Sequence, residues 1–390
     1  MDFSRVKKCK SLGNRFVDWK NNVLLDVSFE GDEERYGAPY YFLHRADLVN
    51  LLFQTAKERR NINLVMGCKV IEYDFDTPSV KLASGEWVKG DLIVGCDGIK
   101  SAVRNQINGE GCEPIDTGDV AYRILVDARP LLEDPATRHL VTDPWAMHWI
   151  GPECHAVGYP LRGGELYNVI IDTTHATDLG EPIGQEEWKA GADNAALVER
   201  FRDWCEPVRK LCSLTGQYLK WKLADFDQLQ RWTHPGGKAV LLGDACHPMM
   251  PYMAQGAAQA TEDAATLAAA ISQHNDLLAA LETYQRQRAP RATYIARNTR
   301  ILQQWWHLYD GPARDERDEM MRHDNEQNPM LWGCSERKDW LFGHDARILL
   351  PEGVTPHVPS LPPWPSKEAN VYKIRGTNAD DGNDKHMNRL

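Results

Sequence analysis

Asp244, Gly256 and the alanines that follow are the residues whose types and spacing best suit cofactor chemistry. They lie in VLLGDACHPMMPYMAQGAAQATEDAATLAAAI, residues 240–271. The apolar run Ala239 to Leu242 reads as a buried strand. Gly243-Asp244 breaks it, and His247-Pro248 and Pro251-Tyr252 make a rigid, non-helical loop. Gln255-Gly256 then opens an alanine-built helix. A carboxylate just past a strand can accept hydrogen bonds from ribose hydroxyls. The free N–H groups at a helix start near Gly256 favour an anion or a reduced, negatively charged ring. Ala257, Ala258, Ala260, Ala264 and Ala265 let a partner pack close to the backbone. The same string also reads as a buried strand, a proline loop and a core helix. The Gly-Asp pair alone decides nothing, since it recurs at Gly31-Asp32, Gly90-Asp91 and Gly118-Asp119.

Four further positions could do chemistry. Arg45 stands at the start of a helix, a poor place for a cation unless an anion is nearby. Asp97-Gly98 follows the buried strand DLIVG and precedes a helix capped by Ser101; a plain strand-to-helix turn would look the same. Arg123 sits inside the apolar strand AYRILV, where a cation needs an anionic partner or an exposed face. Tyr159 precedes a proline in VGYPLR and also reads as a packing residue. His148, His155 and Arg162 are weaker candidates, more simply read as ordinary sheet residues.

These residues need elements to hold them. FVDW and VLLDVSF are short strand candidates, and Arg45-Ala46-Asp47-Leu48 opens a helix whose Leu48, Leu51 and Leu52 share a face. Asn63–Tyr73 and Val80–Leu82 alternate as strands around the Ser84-Gly85 turn. AYRILVDA, WAMHWIG, HAVGYPLRGGELYNVIIDT and LKWKLADF read as a mostly antiparallel sheet with a hairpin at Gly163-Gly164. Helical pieces fill 185–213. A further helix runs from Leu277 to Arg300, with Pro290 as a kink and Arg286, Arg288, Arg291 and Arg297 on exposed turns.

The chain has 390 residues, enough for one large or two modest domains. Its formal net charge of -11 and its lack of a basic cluster argue against a nucleic-acid surface. Nine cysteines, an odd number without a CxxC pair, point to free thiols in a reducing compartment rather than a disulfide framework or zinc site. No apolar run reaches membrane-spanning length, and no signal-peptide core is visible. A cytoplasmic enzyme acting on a small molecule is the simplest expectation, with no metal.

GDACHPMMPYMAQGAAQATEDA closely resembles the second FAD motif of the single-component (class A) flavoprotein aromatic hydroxylases, the salicylate-hydroxylase-like monooxygenases. GCDGIKSAVR and HRADL resemble two further motifs of that family, and DWLFGHDA resembles its C-terminal ending. The resemblance runs from about Phe16 to about Ala346. It implies an α/β fold with an α+β second part: a Rossmann-like FAD-binding domain with an inserted, mostly antiparallel substrate sheet, p-hydroxybenzoate-hydroxylase-like. The implied parts are residues 1–117 and 231–300 for FAD binding, 118–230 for the substrate sheet, 301–350 as a helical cap and 351–390 as a loosely ordered tail.

By the same resemblance, Asp244 meets the ribityl chain of FAD, and Gly256 and Ala257 at the helix start face the pyrimidine side of the flavin. Arg45 contacts FAD, and Asp97-Gly98 lies near its pyrophosphate. Arg123 and Tyr159 match the arginine and tyrosine with which dearomatising phenol hydroxylases of the family hold and polarise a phenolate. The implied activity is hydroxylation of a phenol-like aromatic with FAD, NAD(P)H and O2, in a secondary-metabolite setting. A flavin-free aromatic-binding relative is the alternative. The family opens with a strand, GxGxxG and a helix. This sequence has no GxGxxG before Asp97, so the remaining parallel strands should expose apolar surface.

Overall fold

The computed structural model describes residues 2–109, 112–174, 194–216 and 218–365. Fourteen strands occur among them: β1 (Lys8–Lys10), β2 (Gly13–Asp18), β3 (Val23–Ser28), β4 (Tyr41–Leu43), β5 (Val70–Asp74), β6 (Ser79–Leu82), β7 (Trp87–Lys89), β8 (Ile93–Gly95), β9 (Ile115–Asp127), β10 (Trp145–Gly151), β11 (Cys154–Leu161), β12 (Leu166–Thr173), β13 (Tyr218–Asp225) and β14 (Ala239–Leu241). Seven of them form one sheet in the order β13-β9-β12-β11-β10-β2-β3. All its pairs are antiparallel except β10 with β2.

Alternation along β9 gives this sheet two distinct faces. Val120, Tyr122, Ile124 and Val126 point into a core shared with Leu197, Phe201, Val208 and Leu211 from two short helices. Ala121 and Arg123 therefore point the other way. The register carries that second face across the strands: Arg123 lies opposite Ile170, and Ile170 opposite Val157. One row further, Leu125 lies opposite Asn168, and Asn168 opposite Tyr159. Arg123 and Tyr159 thus occupy neighbouring rows of one face.

A second, smaller layer holds the strand–loop–helix. β14 pairs parallel with β8, Val240 against Val94. Val103, Ile107, Leu267, Leu281 and Tyr284 pack around the pair from three helices. Within the pair, Val94 of β8 is 41% exposed.

Several expectations are corrected. β2 and β3, placed with the first FAD-binding part, belong to the seven-stranded sheet, so a boundary at 117/118 cuts across it. Pairing decides this: β2 is buried along nearly its whole length between β10 and β3. Residues 63–69 alternate in sequence but form no strand, because no described neighbour offers them a ladder; the strand begins at Val70. The helix from Leu277 runs through Pro290 to Trp306, across the expected boundary at 300/301. Arg288 and Arg291, expected on exposed turns, are buried at 1% and 3% exposure, because Glu262 and Asp263 from the preceding helix meet their charges.

The stretch 357–363, expected to be loosely ordered, is docked. Trp340 Nε1 donates to His357 O, Tyr294 Oη to Ser360 O and Trp305 Nε1 to Pro363 O. The helical expectation over 185–193 and the remainder of the tail beyond 365 lie outside the described residues.

Candidate active site

The expected strand–loop–helix is present. β14 ends at Leu241, Gly243 takes φ 64°, and helix Gly256–Gln273 follows the proline turn Pro251–Met253. A side chain at Gly243 would be strained at that φ, and its Cβ would come 3.2 Å from Ala260 Cβ. Glycine there lets the strand end lie directly against the helix.

Asp263, in the third turn of that helix, fastens the loop. Its carboxylate accepts from Gly243 N at 2.9 Å, from His247 Nε2 at 2.6 Å and from Arg288 Nε at 2.8 Å. Burial pushes the Asp263 carboxyl up, but His247 and Arg288 overcome this and hold it below its usual range. Cys246, His247 and Asp263 lie close enough together to hold a metal ion. The Arg288 guanidinium already occupies that carboxylate, so the cluster reads as a buckle. Sequence reasoning missed it, because the signal, TEDA facing RQRAPR, is visible only once two helices pack.

The helix start is left open. Its N-cap Gln255 makes no side-chain cap, and its first turn carries no acidic residue. Asp244 is exposed, and its Oδ1 lies 3.9 Å from where a Cβ on Gly256 would stand. Ala257 and Ala258 are also exposed. Free N–H groups, an unencumbered carboxylate and a surface without bulky side chains fit a flavin nucleotide.

Asp97 has a local task. Its carboxylate accepts from Ser101 Oγ at 2.5 Å, Ala102 N at 2.8 Å and Val103 N at 3.2 Å, and so caps helix Ala102–Asn108. Gly98 beside it takes φ 78° with open space around it. Arg104 joins this loop to the Asp244 loop: buried to 1% exposure, it donates to Ile99 O at 2.5 Å and Ala245 O at 3.3 Å. Phe226 lies under its guanidinium at 4.1 Å. Arg45 opens helix Arg45–Lys57 on the surface, with no hydrogen-bond or carboxylate partner among the described residues. Arg162 anchors the start of that helix to the sheet hairpin through two 2.7 Å bonds to Asp47.

On the second face of the sheet, Arg123 is half-buried and has no hydrogen-bond or carboxylate partner among the described residues. Tyr159 stacks on Phe42 at 5.0 Å. Burial pushes its phenol up, and Arg123 pulls part of that back. The proline turn reaches the same face. Tyr252 Oη donates to Asp119 Oδ2 at 3.1 Å, and its ring lies 5.0 Å from that of His155. His155 and Asp172 form the row next to Val157, Ile170 and Arg123. The loop that follows Asp244 therefore touches the sheet face that carries Arg123 and Tyr159, one row away from Arg123.

His148 and His155 are buried sheet residues. His148 stacks on Phe16, and burial lowers it to about 3; His155 bonds to His307 at 2.8 Å.

A family model described as FAD binding domain matches residues 26–299. The FAD-dependent monooxygenase OpS4 of Beauveria bassiana is 32% identical over 80% of this chain and 74% of its own length. A 3-hydroxybenzoate 6-hydroxylase of Polaromonas naphthalenivorans is 33% identical over 80% of this chain and 74% of its own length. A salicylate hydroxylase solved with substrate shares the fold, at TM-score 0.71 and 22% identity, over 90% of this chain and 86% of that one. The chain therefore belongs to the FAD-binding-domain family of class A flavoprotein monooxygenases, the aromatic hydroxylases, and has their p-hydroxybenzoate-hydroxylase-like fold.

Proposed function

We propose that this monooxygenase hydroxylates a phenol-like aromatic small molecule bound as its phenolate, with Arg123 as the anion partner and Tyr159 as a second donor to the same oxygen. The observation that carries this reading is the half-buried Arg123 guanidinium, without a partner among the described residues, on the sheet face that also carries the Tyr159 phenol. A half-buried cation without a counter-charge costs stability, and a phenolate would supply the charge. The deprotonated ring is electron-rich, as an electrophilic oxygen requires.

Asp244, Gly256 and Ala257 would hold the ribityl chain and pyrimidine edge of FAD. Arg45 and the backbone at Asp97-Gly98 would meet its phosphates, the Asp97 carboxylate itself being taken up as a cap. FAD, reduced by NAD(P)H, supplies the oxygen chemistry. The residues on this chain bind the phenol, lower its pKa and orient the ring toward the proline turn. A cytoplasmic location and a role in secondary metabolism agree with this reading.

The test is binding of 4-nitrophenol, whose phenolate is coloured, to the FAD-loaded protein. Arg123→Ala should weaken binding by ~10–100-fold, the cost of one hydrogen bond to a charged group, and the ligand should no longer bind as the phenolate. Unchanged affinity and colour in the variant would contradict the assignment.

A further inference from the structure

The arginines of helix Leu277–Trp306 are engaged, with one exception. Arg286 donates to Val354 O at 2.8 Å, Arg288 and Arg291 meet Asp263 and Glu262, and Arg300 donates to Phe226 O at 2.6 Å and pairs with Asp225. Arg297 has no hydrogen-bond or carboxylate partner among the described residues. It is half-buried, and its Nε is enclosed without an acceptor, a costly state for a cation. Its two terminal nitrogens are not enclosed, and the residue borders two adjoining hollows.

The outer hollow is a cleft of about 450 Å³ between the helix and the docked stretch 357–363, walled by Pro290, Tyr294, Val358, Pro359 and Leu361. The inner one is a small pocket of about 30 Å³ that runs to His247 and Pro248, in the loop after Asp244. Arg297, Thr293 and Gln228 border both, so they form the neck between them. The Thr293 hydroxyl and the Gln228 amide make no hydrogen bond among the described residues either. A few convergent polar groups at the inner end of an apolar cleft is the build of a small-molecule site. Neither Arg123 nor Tyr159 lines either hollow.

We propose that this neck and cleft bind a small monocarboxylate with an apolar body, at a site separate from the Arg123–Tyr159 face. The guanidinium is a planar fork that matches the two oxygens of a carboxylate. Thr293 and Gln228 add neutral donors. Charge sets the class. Arg297 brings one positive charge, Arg300 is already neutralised by Asp225, and Asp227 borders the inner pocket without pairing with Arg297. One negative charge is matched there; a phosphate dianion or a pyrophosphate is not. The inner pocket has room for little more than a water. The apolar body therefore lies outward, along Pro290, Tyr294 and Val358. A neutral ligand would leave Arg297 without a counter-charge.

The experiment is calorimetric titration of the purified chain, in excess FAD, with octanoate, octanol and inorganic phosphate. Octanoate should bind at a single saturable site, at least ~10-fold more tightly than octanol, and phosphate should not bind. Arg297→Gln should weaken octanoate binding by ~10–100-fold, the loss of hydrogen bonds to a charged group, at an unchanged Tm. Thr293→Val should weaken it by roughly 3–10-fold. Arg123→Ala should leave it as in the wild type.

Absent octanoate binding, equal binding of octanol, or undiminished affinity in Arg297→Gln overturns the proposal. So does octanoate binding that Arg123→Ala abolishes, which would put the ligand on the phenolate face instead. Phosphate bound more tightly than octanoate overturns the carboxylate class. Should Arg297→Gln not fold, Thr293→Val decides: a weakened affinity supports the site, and an undiminished one contradicts it.

Discussion

Arg123 stands out in the amino-acid sequence itself, because an apolar strand seldom carries a cation without reason. Sequence alone leaves two outcomes open, an outward-facing arginine or a ligand-binding one. The register settles the facing: its side chain shares a face with Tyr159 and with the proline turn's partner His155. Arg297 is not legible in the sequence, since RQRAPRATYIARNTR offers no pattern that separates an arginine facing a cleft from its paired neighbours. Asp97 shows the converse. Its motif is visible, but its carboxylate is spent on the Ala102 and Val103 amides.

At the residue scale, Tyr159 carries a further prediction. Tyr159→Phe removes one donor but keeps the stack on Phe42. Affinity of the FAD-loaded protein for 4-nitrophenol should fall by roughly 10-fold, with the bound phenolate colour retained because Arg123 remains. Loss of the colour in this variant would shift the main role from Arg123 to Tyr159.

Among the elements, the strand, loop and helix around Asp244 are legible, because proline, glycine and alanine act locally. What fixes their mutual placement is not, because it spans two helices. Glu262 accepts from Arg291 Nε at 2.7 Å and Asp263 from Arg288 Nε at 2.8 Å; Asp263 and both arginines are buried, and Glu262 is partly so. Burial raises both carboxyls, yet their arginine and histidine partners hold each below its usual range. The unfolded chain therefore takes up protons first as pH falls. The network's contribution is present above about pH 4, the unfolded carboxylate value, and is lost as pH falls through the lower folded values. Arg288→Met leaves the buried Asp263 carboxylate without its arginine partner, with only His247 still facing it. Unfolding free energy at pH 7 should drop by about 3–5 kcal/mol, and stability should depend less on pH in the acid range. Denaturant melts at pH 7 and pH 4 check this; an unchanged midpoint at pH 7 would show that the network does not hold the loop.

Over the whole molecule, the mixed architecture and the antiparallel sheet are legible from alternation and turn residues. The recruitment of β2 and β3 into that sheet is not, because a parallel pairing between residues more than 100 apart leaves no local mark. The docking of 357–363 through three side-chain donors is equally invisible in the sequence, since proline-rich composition reads as loose chain.

The central claim is that this 390-residue chain holds FAD beside a phenolate pocket. Its most direct test is titration of the purified chain with FAD, followed by flavin absorbance before and after desalting. The account predicts saturation at about one FAD per chain, flavin retained through desalting, and a further spectral change when 4-nitrophenol is added. A protein that stays colourless after incubation with FAD would contradict it.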